Sequence, residues 1–299
     1  VWSVIVVPAA FAEERVRLSG EPGRRWIAGL PALVAELCDR WRLEPTAEPA
    51  MHGELGVVFP VRRAGEALVL KVGWLEHSTV DEAAALRAWN GAGAVRLLDA
   101  DDDAGALLLE RLDSRRSLRD LPLLAAAEIA GGLIRQLAIP APDGIRPLGE
   151  IGGHVADTVH MRNERLGRPV RRPWADLAAD LARDLGVGAG SLLVHADLHY
   201  GNVLAGRRQP WLAVDPKAVS GDPEHSVPEL MWTRLDEAVG PAGVRALLDT
   251  IVRAGELDAA KARGWAIIRA IDYWLWGLEA GLTEDPLRCH RLVEALTTT

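Results

Sequence analysis

The chain has 299 residues, 49% apolar and 25% charged, with a formal net charge of −8. That mixture excludes a disordered or fibrous protein, and the negative balance argues against a nucleic-acid partner, whose recognition rests on basic contacts to phosphates, while it suits a cationic small substrate. Two cysteines, Cys38 and Cys289, are too few for a disulfide framework, so a reducing cytoplasm is the expected compartment.

The apolar opening, residues 1–11, is shorter than a membrane span and runs into Glu13, Glu14 and Arg15, which predicts a packed arm and no membrane partner. Trp26, Ile27, Leu30, Leu33, Val34 and Leu37 recur at helical spacing and predict an amphipathic helix over 24–40. The run 57–61, a turn at Ala64, Gly65 and Glu66, and the run 67–72 predict a β-hairpin. A helix is expected over 79–89, then a second hairpin from the runs 95–98 and 106–109 around a turn at 101–105. From 118 the texture becomes helical, with helices expected over 118–137, 174–185, 227–239, 242–254 and 258–282. The reading is an α+β chain: a small sheet-rich N-lobe, 1–112, before a larger, mainly helical C-lobe, 113–299. Nothing in it requires more than a monomer or a weak dimer.

The polar residues concentrate in 192–217, where two apolar runs, 192–194 and 211–214, each end in a polar cluster. His195, Asp197 and Asn202 follow the first, and Asp215, Pro216 and Lys217 follow the second. Oxygen donors on neighbouring strand ends suit magnesium, which takes one or two carboxylates plus substrate phosphates. The spacing matches the catalytic loop and metal-binding aspartate of kinase-like phosphotransferases. Asp197 would accept the proton of a substrate hydroxyl, Asn202 and Asp215 would hold Mg2+, and His195 would brace the loop. A plain turn rich in Asp and Asn is the simpler alternative. A third reading makes His195 and His199 ligands of zinc or iron in a hydrolase, but Gly201 and the flanking apolar runs point to strand and turn rather than the helix that spacing needs. His199 would instead stand on the substrate side.

Upstream, period-two alternation over 68–72 puts Val69 and Lys71 on one face of a strand and Leu68, Leu70 and Val72 on the other. Val69 would roof an adenine and Lys71 would reach its phosphates, with Glu82 as the natural partner and Asp81 as the neighbouring candidate. An edge-strand lysine reaching water is the alternative. The turn bearing Gly53 and Gly56 is a place where backbone amides can approach phosphate. Neither a G-x-x-x-x-G-K-[ST] loop nor a G-x-G-x-x-G turn after a strand is present. Near the C-terminus Asp272, Trp276 and Glu279 share one helix face, either a cradle for a cationic acceptor or a solvated acidic face with a packed Trp.

These residues resemble the kinase-like aminoglycoside phosphotransferases, in particular the streptomycin 6-kinase and hydroxyurea kinase branch. The resemblance spans nearly the whole chain and rests on four runs: RWIAGLPALV at 25–34, LLLERL at 107–112, HADLHYGNVL at 195–204, and PWLAVDP at 210–216 followed by Gly221, Asp222 and Pro223. It implies a bilobal, protein-kinase-like fold, ATP as phosphoryl donor and adenine contacts from the backbone near Glu110 and Leu112. It also implies a small-molecule hydroxyl acceptor, most directly an aminoglycoside such as streptomycin in antibiotic resistance. Hydroxyurea or another small amino-alcohol or amino-sugar metabolite is the alternative acceptor. Asp215-Pro216-Lys217 replaces the Asp-Phe-Gly of protein kinases, with Lys217 near the phosphates or a product. After Gly221-Asp222-Pro223 the family pattern calls for an aromatic and then an acidic residue, where this chain has Glu224, His225 and Ser226.

Overall fold

The computed structural model describes residues 6–76 and 79–298. The chain divides into two compact units, one of residues up to Gly91 together with Val95–Leu112, the other of Ala92–Ala94 and the residues from Asp113 onward.

The first unit opens with helix α1 (Ala9–Trp41), longer than its sequence predicts and bent at Gly20, whose φ of 60° breaks the helical path two residues before Pro22. Of the expected arm, residues 1–5 lie outside the described residues, whereas Phe11 is buried edge-on against Trp26. Then come β1 (Glu44–Pro45), β2 (Met51–His52), β3 (Gly56–Arg63), β4 (Glu66–Gly73), helix α2 (Glu82–Trp89), β5 (Leu97–Asp101) and β6 (Ala106–Glu110). They form one antiparallel sheet in the order β1-β3-β4-β6-β5, with β2 also on β3. Arg63 pairs with Glu66 across the two-residue loop Ala64-Gly65, both at positive φ, the backbone a tight hairpin turn requires. β4 is the central strand, and its burial alternates as the sequence predicts: Leu68, Leu70 and Val72 are fully buried against α1, while Val69 and Lys71 lie on the half-buried face.

The second unit contains β7 (Asp113–Ser117), α3 (Leu123–Leu137), α4 (Leu148–Arg165), α5 (Arg172–Val187), β8 (Leu192–Val194), β9 (Val203–Ala205), β10 (Trp211–Ala213), β11 (Val219–Gly221), α6 (Val227–Trp232), α7 (Gly240–Gly255), α8 (Ala259–Glu279) and α9 (Glu284–Thr297). Two small strand groups hold the functional stretch: β8 pairs antiparallel with β11, and β10-β9-β7 form a three-stranded sheet. The helix expected over 118–137 is a short 3-10 turn, Leu118–Asp120, followed by α3, because Pro122 cannot donate within a continuous helix. The helix expected over 227–239 ends at Trp232. α4 and α9 have no counterpart in the sequence reading. α4 carries three glycines; a Cβ would stand 3.0 Å from the Gly186 carbonyl at Gly149 and 2.7 Å from the Ala182 carbonyl at Gly152, so these two let α4 and α5 approach closely, while Gly153 is exposed. Among the described residues no helix is long and apolar enough to cross a membrane, and both cysteines are buried free thiols.

Candidate active site

In the first unit Lys71 Nζ donates to both carboxylate oxygens of Glu82, at 2.7 and 2.6 Å. The lysine side chain is 12% exposed and the glutamate 8%, so the pair is largely withdrawn from water. Val69 sits two residues along on the same face. Gly56 starts β3, and a Cβ there would meet the Val72 carbonyl at 3.2 Å and Lys71 Cε at 3.5 Å, so that glycine keeps the backbone close to the lysine. Gly53, an exposed glycine, donates its N–H to the Gly56 carbonyl and closes the turn. Glu110 ends β6 with its carboxylate accepting from the Arg96 N–H, and Leu112 is half-buried just beyond. Breaking a shielded ion pair from one side strands a charge, so Lys71→Met alone is expected to lower the unfolding free energy by about 3 kcal/mol. The Lys71→Met, Glu82→Gln double variant should lose less than the two single losses combined, a cycle that urea unfolding reads directly.

In the second unit the loop from β8 to β9 is pinned by its own residues. Leu198 and Tyr200 are buried anchors, and Arg234 lies over the Tyr200 ring. His195 is 1% exposed, with Nε2 3.0 Å from the Val214 carbonyl. Its Nδ1 accepts from the Asp197 N–H at 3.4 Å, which assigns the ring proton to Nε2. Burial holds its pKa down near 4, so the ring is neutral at physiological pH and fixes the loop to the strand exit before Asp215. The Asp197 carbonyl accepts from Asn202 Nδ2 at 3.0 Å, which turns the Asn202 carbonyl oxygen away from that bond. The Asn202 carbonyl of the main chain accepts from the Val214 N–H at 2.8 Å, drawing the two polar clusters together. Lys217 closes the group: its N–H donates to the His195 carbonyl at 3.0 Å, and its Nζ lies 3.3 Å from Asp197 Oδ2. Ala196 and Asp215 hold φ values of 53° and 60°, left-handed backbone that non-glycine residues adopt at a cost and that recurs at functional sites.

His199 is half-buried, its Nδ1 accepting from the Gly201 N–H at 3.0 Å, and burial with Arg119 nearby lowers its pKa to about 4. With both His195 nitrogens bonded to backbone and one of His199 likewise, the pair is not arranged to hold zinc or iron, which corrects the hydrolase reading. Among the described residues no cluster of three or more His, Cys, Asp or Glu side chains forms a metal cage. The side-chain oxygens of Asn202 and Asp215 are of the donor type magnesium takes, an ion that completes its shell with phosphates and water.

The face of Asp272, Trp276 and Glu279 is engaged within the protein. Asp272 accepts from Arg162 at 2.6 Å and from Arg269 at 2.5 Å, and Glu279 pairs with Arg162 and Arg165. Trp276, 45% exposed, stacks on Tyr273, which in turn stacks on Trp232. The expected open acidic cradle is therefore already balanced by three arginines, two of them from α4. Sequence reasoning passed over Glu229 on α6, whose carboxylate lies 3.8 Å from Arg269 and is 14% exposed. The residues where the family pattern departs, Glu224, His225 and Ser226, are all buried: Glu224 accepts from the Asp258 N–H at 2.8 Å, and the His225 ring stands edge-on to Trp265. That departure serves packing against α8.

An antiparallel sheet carrying a lysine–glutamate pair, and a helical unit carrying a His-x-Asp loop with a following aspartate, define a phosphotransferase of the kinase-like class. The chain belongs to the family described as aminoglycoside/hydroxyurea antibiotic resistance kinases, whose model matches residues 40–281. It is 41% identical over 294 residues to the streptomycin 6-kinase of Streptomyces griseus, an alignment spanning 93% of each chain. It is 39% identical over 302 residues to the hydroxyurea phosphotransferase of Kitasatospora aureofaciens, spanning 99% of this chain and 87% of that one. Its fold matches that of a thermostable mutant of aminoglycoside phosphotransferase APH(4)-Ia in ternary complex with ADP and hygromycin B, with a TM-score of 0.57 and 18% identity over 89% of this chain and 99% of the other.

Proposed function

We propose that this kinase transfers the γ-phosphoryl group of ATP to a hydroxyl of an aminoglycoside of the streptomycin type, in the cytoplasm and as a monomer or weak dimer. The observation that carries the reading is the Asp197 group: a carboxylate on a braced loop, tied through Asn202 and Val214 to the strand exit that bears Asp215, with an ammonium 3.3 Å away. In this reading Asp197 takes the proton of the attacking hydroxyl, and Lys217, 3.3 Å away, offsets charge on the moving phosphoryl group. Lys71, set by Glu82, neutralises the nucleotide phosphates, while Val69, Gly53, Gly56 and the backbone at Glu110 and Leu112 receive the nucleotide. Asn202 and Asp215 would hold Mg2+, which supplies further neutralisation of phosphate charge when bound. His199 remains on the acceptor side.

The 39% identity to a hydroxyurea phosphotransferase over 99% of the chain favours hydroxyurea as the second acceptor. A magnesium-dependent ATP-consumption screen over aminoglycosides, hydroxyurea and simple amino sugars separates the two. Turnover with streptomycin and not with hydroxyurea supports the leading reading, and the reverse result replaces it with the second.

A further inference from the structure

Gly201, in the 3-10 turn Tyr200–Asn202 of the loop from β8 to β9, is in contact with an arginine from far back in the chain. A Cβ at Gly201 would stand 2.7 Å from each of Arg119 Cζ, Nε and Nη2, and these are its three nearest atoms. Three equal distances mean that the guanidinium turns its face to the glycine. The Gly201 backbone lies outside the left-handed region, so an alanine would fit the turn, and its first clash would be with the arginine. Arg119 is delivered there by a rigid mount, the 3-10 turn Leu118–Asp120, in which the Arg119 N–H donates to Ser117 Oγ at 3.2 Å and the Asp120 carboxylate accepts from the Ser117 N–H at 2.8 Å. Arg234 ties that turn to the loop: its Nη1 donates to the Leu118 carbonyl at 3.1 Å, its Nη2 to the Leu121 carbonyl at 2.9 Å, and its guanidinium lies over the Tyr200 ring. The Arg119 guanidinium has no carboxylate partner among the described residues, so the turn, and not a salt bridge, seats it on Gly201.

The consequence falls on one half of the loop. Asn202 is held independently of Arg119: its N–H donates to the His199 carbonyl at 2.9 Å, its Nδ2 to the Asp197 carbonyl at 3.0 Å, and its own carbonyl accepts from the Val214 N–H at 2.8 Å. The His199 ring has a single bond, from the Gly201 N–H to Nδ1 at 3.0 Å. That bond leaves the proton of the neutral ring on Nε2, which has no partner among the described residues and is not sealed from solvent. Burial keeps the ring neutral, with Arg119 and Lys217 opposing a second proton and Asp215 favouring one.

Resting on the phosphotransferase reading and its placing of His199 on the acceptor side, we propose that Arg119 is a positioning residue: seated on Gly201, its guanidinium fixes the one bond that orients the His199 ring, so that His199 offers Nε2–H as its single donor to an oxygen of the acceptor. The missing side chain at Gly201 is the access that this contact requires.

The test compares wild type with Arg119→Ala, Gly201→Ala and His199→Ala, alone and in pairs, using streptomycin as the acceptor. Gly201→Ala pushes the guanidinium away from the other side of the contact, so it should reproduce Arg119→Ala. Each single change is expected to raise the KM for streptomycin by about 3- to 10-fold, the worth of one neutral hydrogen bond, with the KM for ATP unmoved. All three act through one ring, so Arg119→Ala should add nothing in the His199→Ala background, and Gly201→Ala nothing in the Arg119→Ala background. A merely structural role would shift both KM values together and add in the pairs. A second readout needs no turnover: nitrogen NMR of the histidine rings, with His199 assigned by its absence from His199→Ala, should show the Nε2–H tautomer in wild type and a mixture of tautomers in Arg119→Ala. The wild-type tautomer retained in Arg119→Ala, an unmoved streptomycin KM in that variant, or additive losses in the pairs overturns the proposal. A changed tautomer in Arg119→Ala, where wild type turns over no acceptor, supports the positioning role and overturns the phosphotransferase reading alone.

Discussion

Replacing Asp197 by alanine is expected to lower kcat for phosphoryl transfer by about 10²- to 10⁴-fold, the usual contribution of a positioned general base, with nucleotide affinity retained. The backbone of Asp197 does structural work that alanine keeps: its N–H bonds His195 and its carbonyl accepts from both Asn202 and the His199 N–H. The carboxylate and its contact with Lys217 are lost while these backbone bonds remain, so the loop should hold its path. Single-turnover rates with ATP affinity measured in parallel check this. Turnover near the wild-type value would remove Asp197 from the role of base.

Asp215→Asn is expected to cost on the order of 10²- to 10³-fold in kcat and, unlike the Asp197 change, to weaken magnesium-dependent nucleotide binding as well. Asparagine is the informative replacement because residue 215 sits at φ 60°, and asparagine tolerates left-handed backbone where alanine would add strain to the loss of charge. Nucleotide titrations with and without magnesium separate the effects: the magnesium enhancement seen in wild type should vanish in the variant. An unchanged enhancement would assign the metal to other groups.

Much of the sheet-bearing unit was legible because its signals are local. The turn residues Ala64, Gly65 and Glu66 between apolar runs declare a hairpin, which the structure closes over Ala64-Gly65 alone, and alternation through β4 declares which face carries Lys71. The loop from His195 to Asn202 was equally legible, since its residue types and offsets lie within one short stretch. Three things were hidden, and for related reasons. Helix α4 has no counterpart in the sequence reading, and its packing explains why: Gly149 and Gly152, poor helix formers in isolation, serve close approach to α5. Missing α4 hid Arg162 and Arg165, whose partners lie more than a hundred residues away, and so Asp272 and Glu279 looked open. Glu229 carries no spacing signal at all. Its distinction is its shielded place beside Arg269 in a network assembled from α4, α6 and α8, a property that exists only after folding.

The account's central claim is transfer of a phosphoryl group from ATP to a hydroxyl of a streptomycin-type acceptor. Mass spectrometry of streptomycin after incubation with the purified protein, ATP and magnesium measures that directly. The account predicts a product heavier by one phosphoryl group, formed by wild type and lost in Asp197→Ala. Unmodified streptomycin alongside wild-type protein that still binds ATP would contradict it.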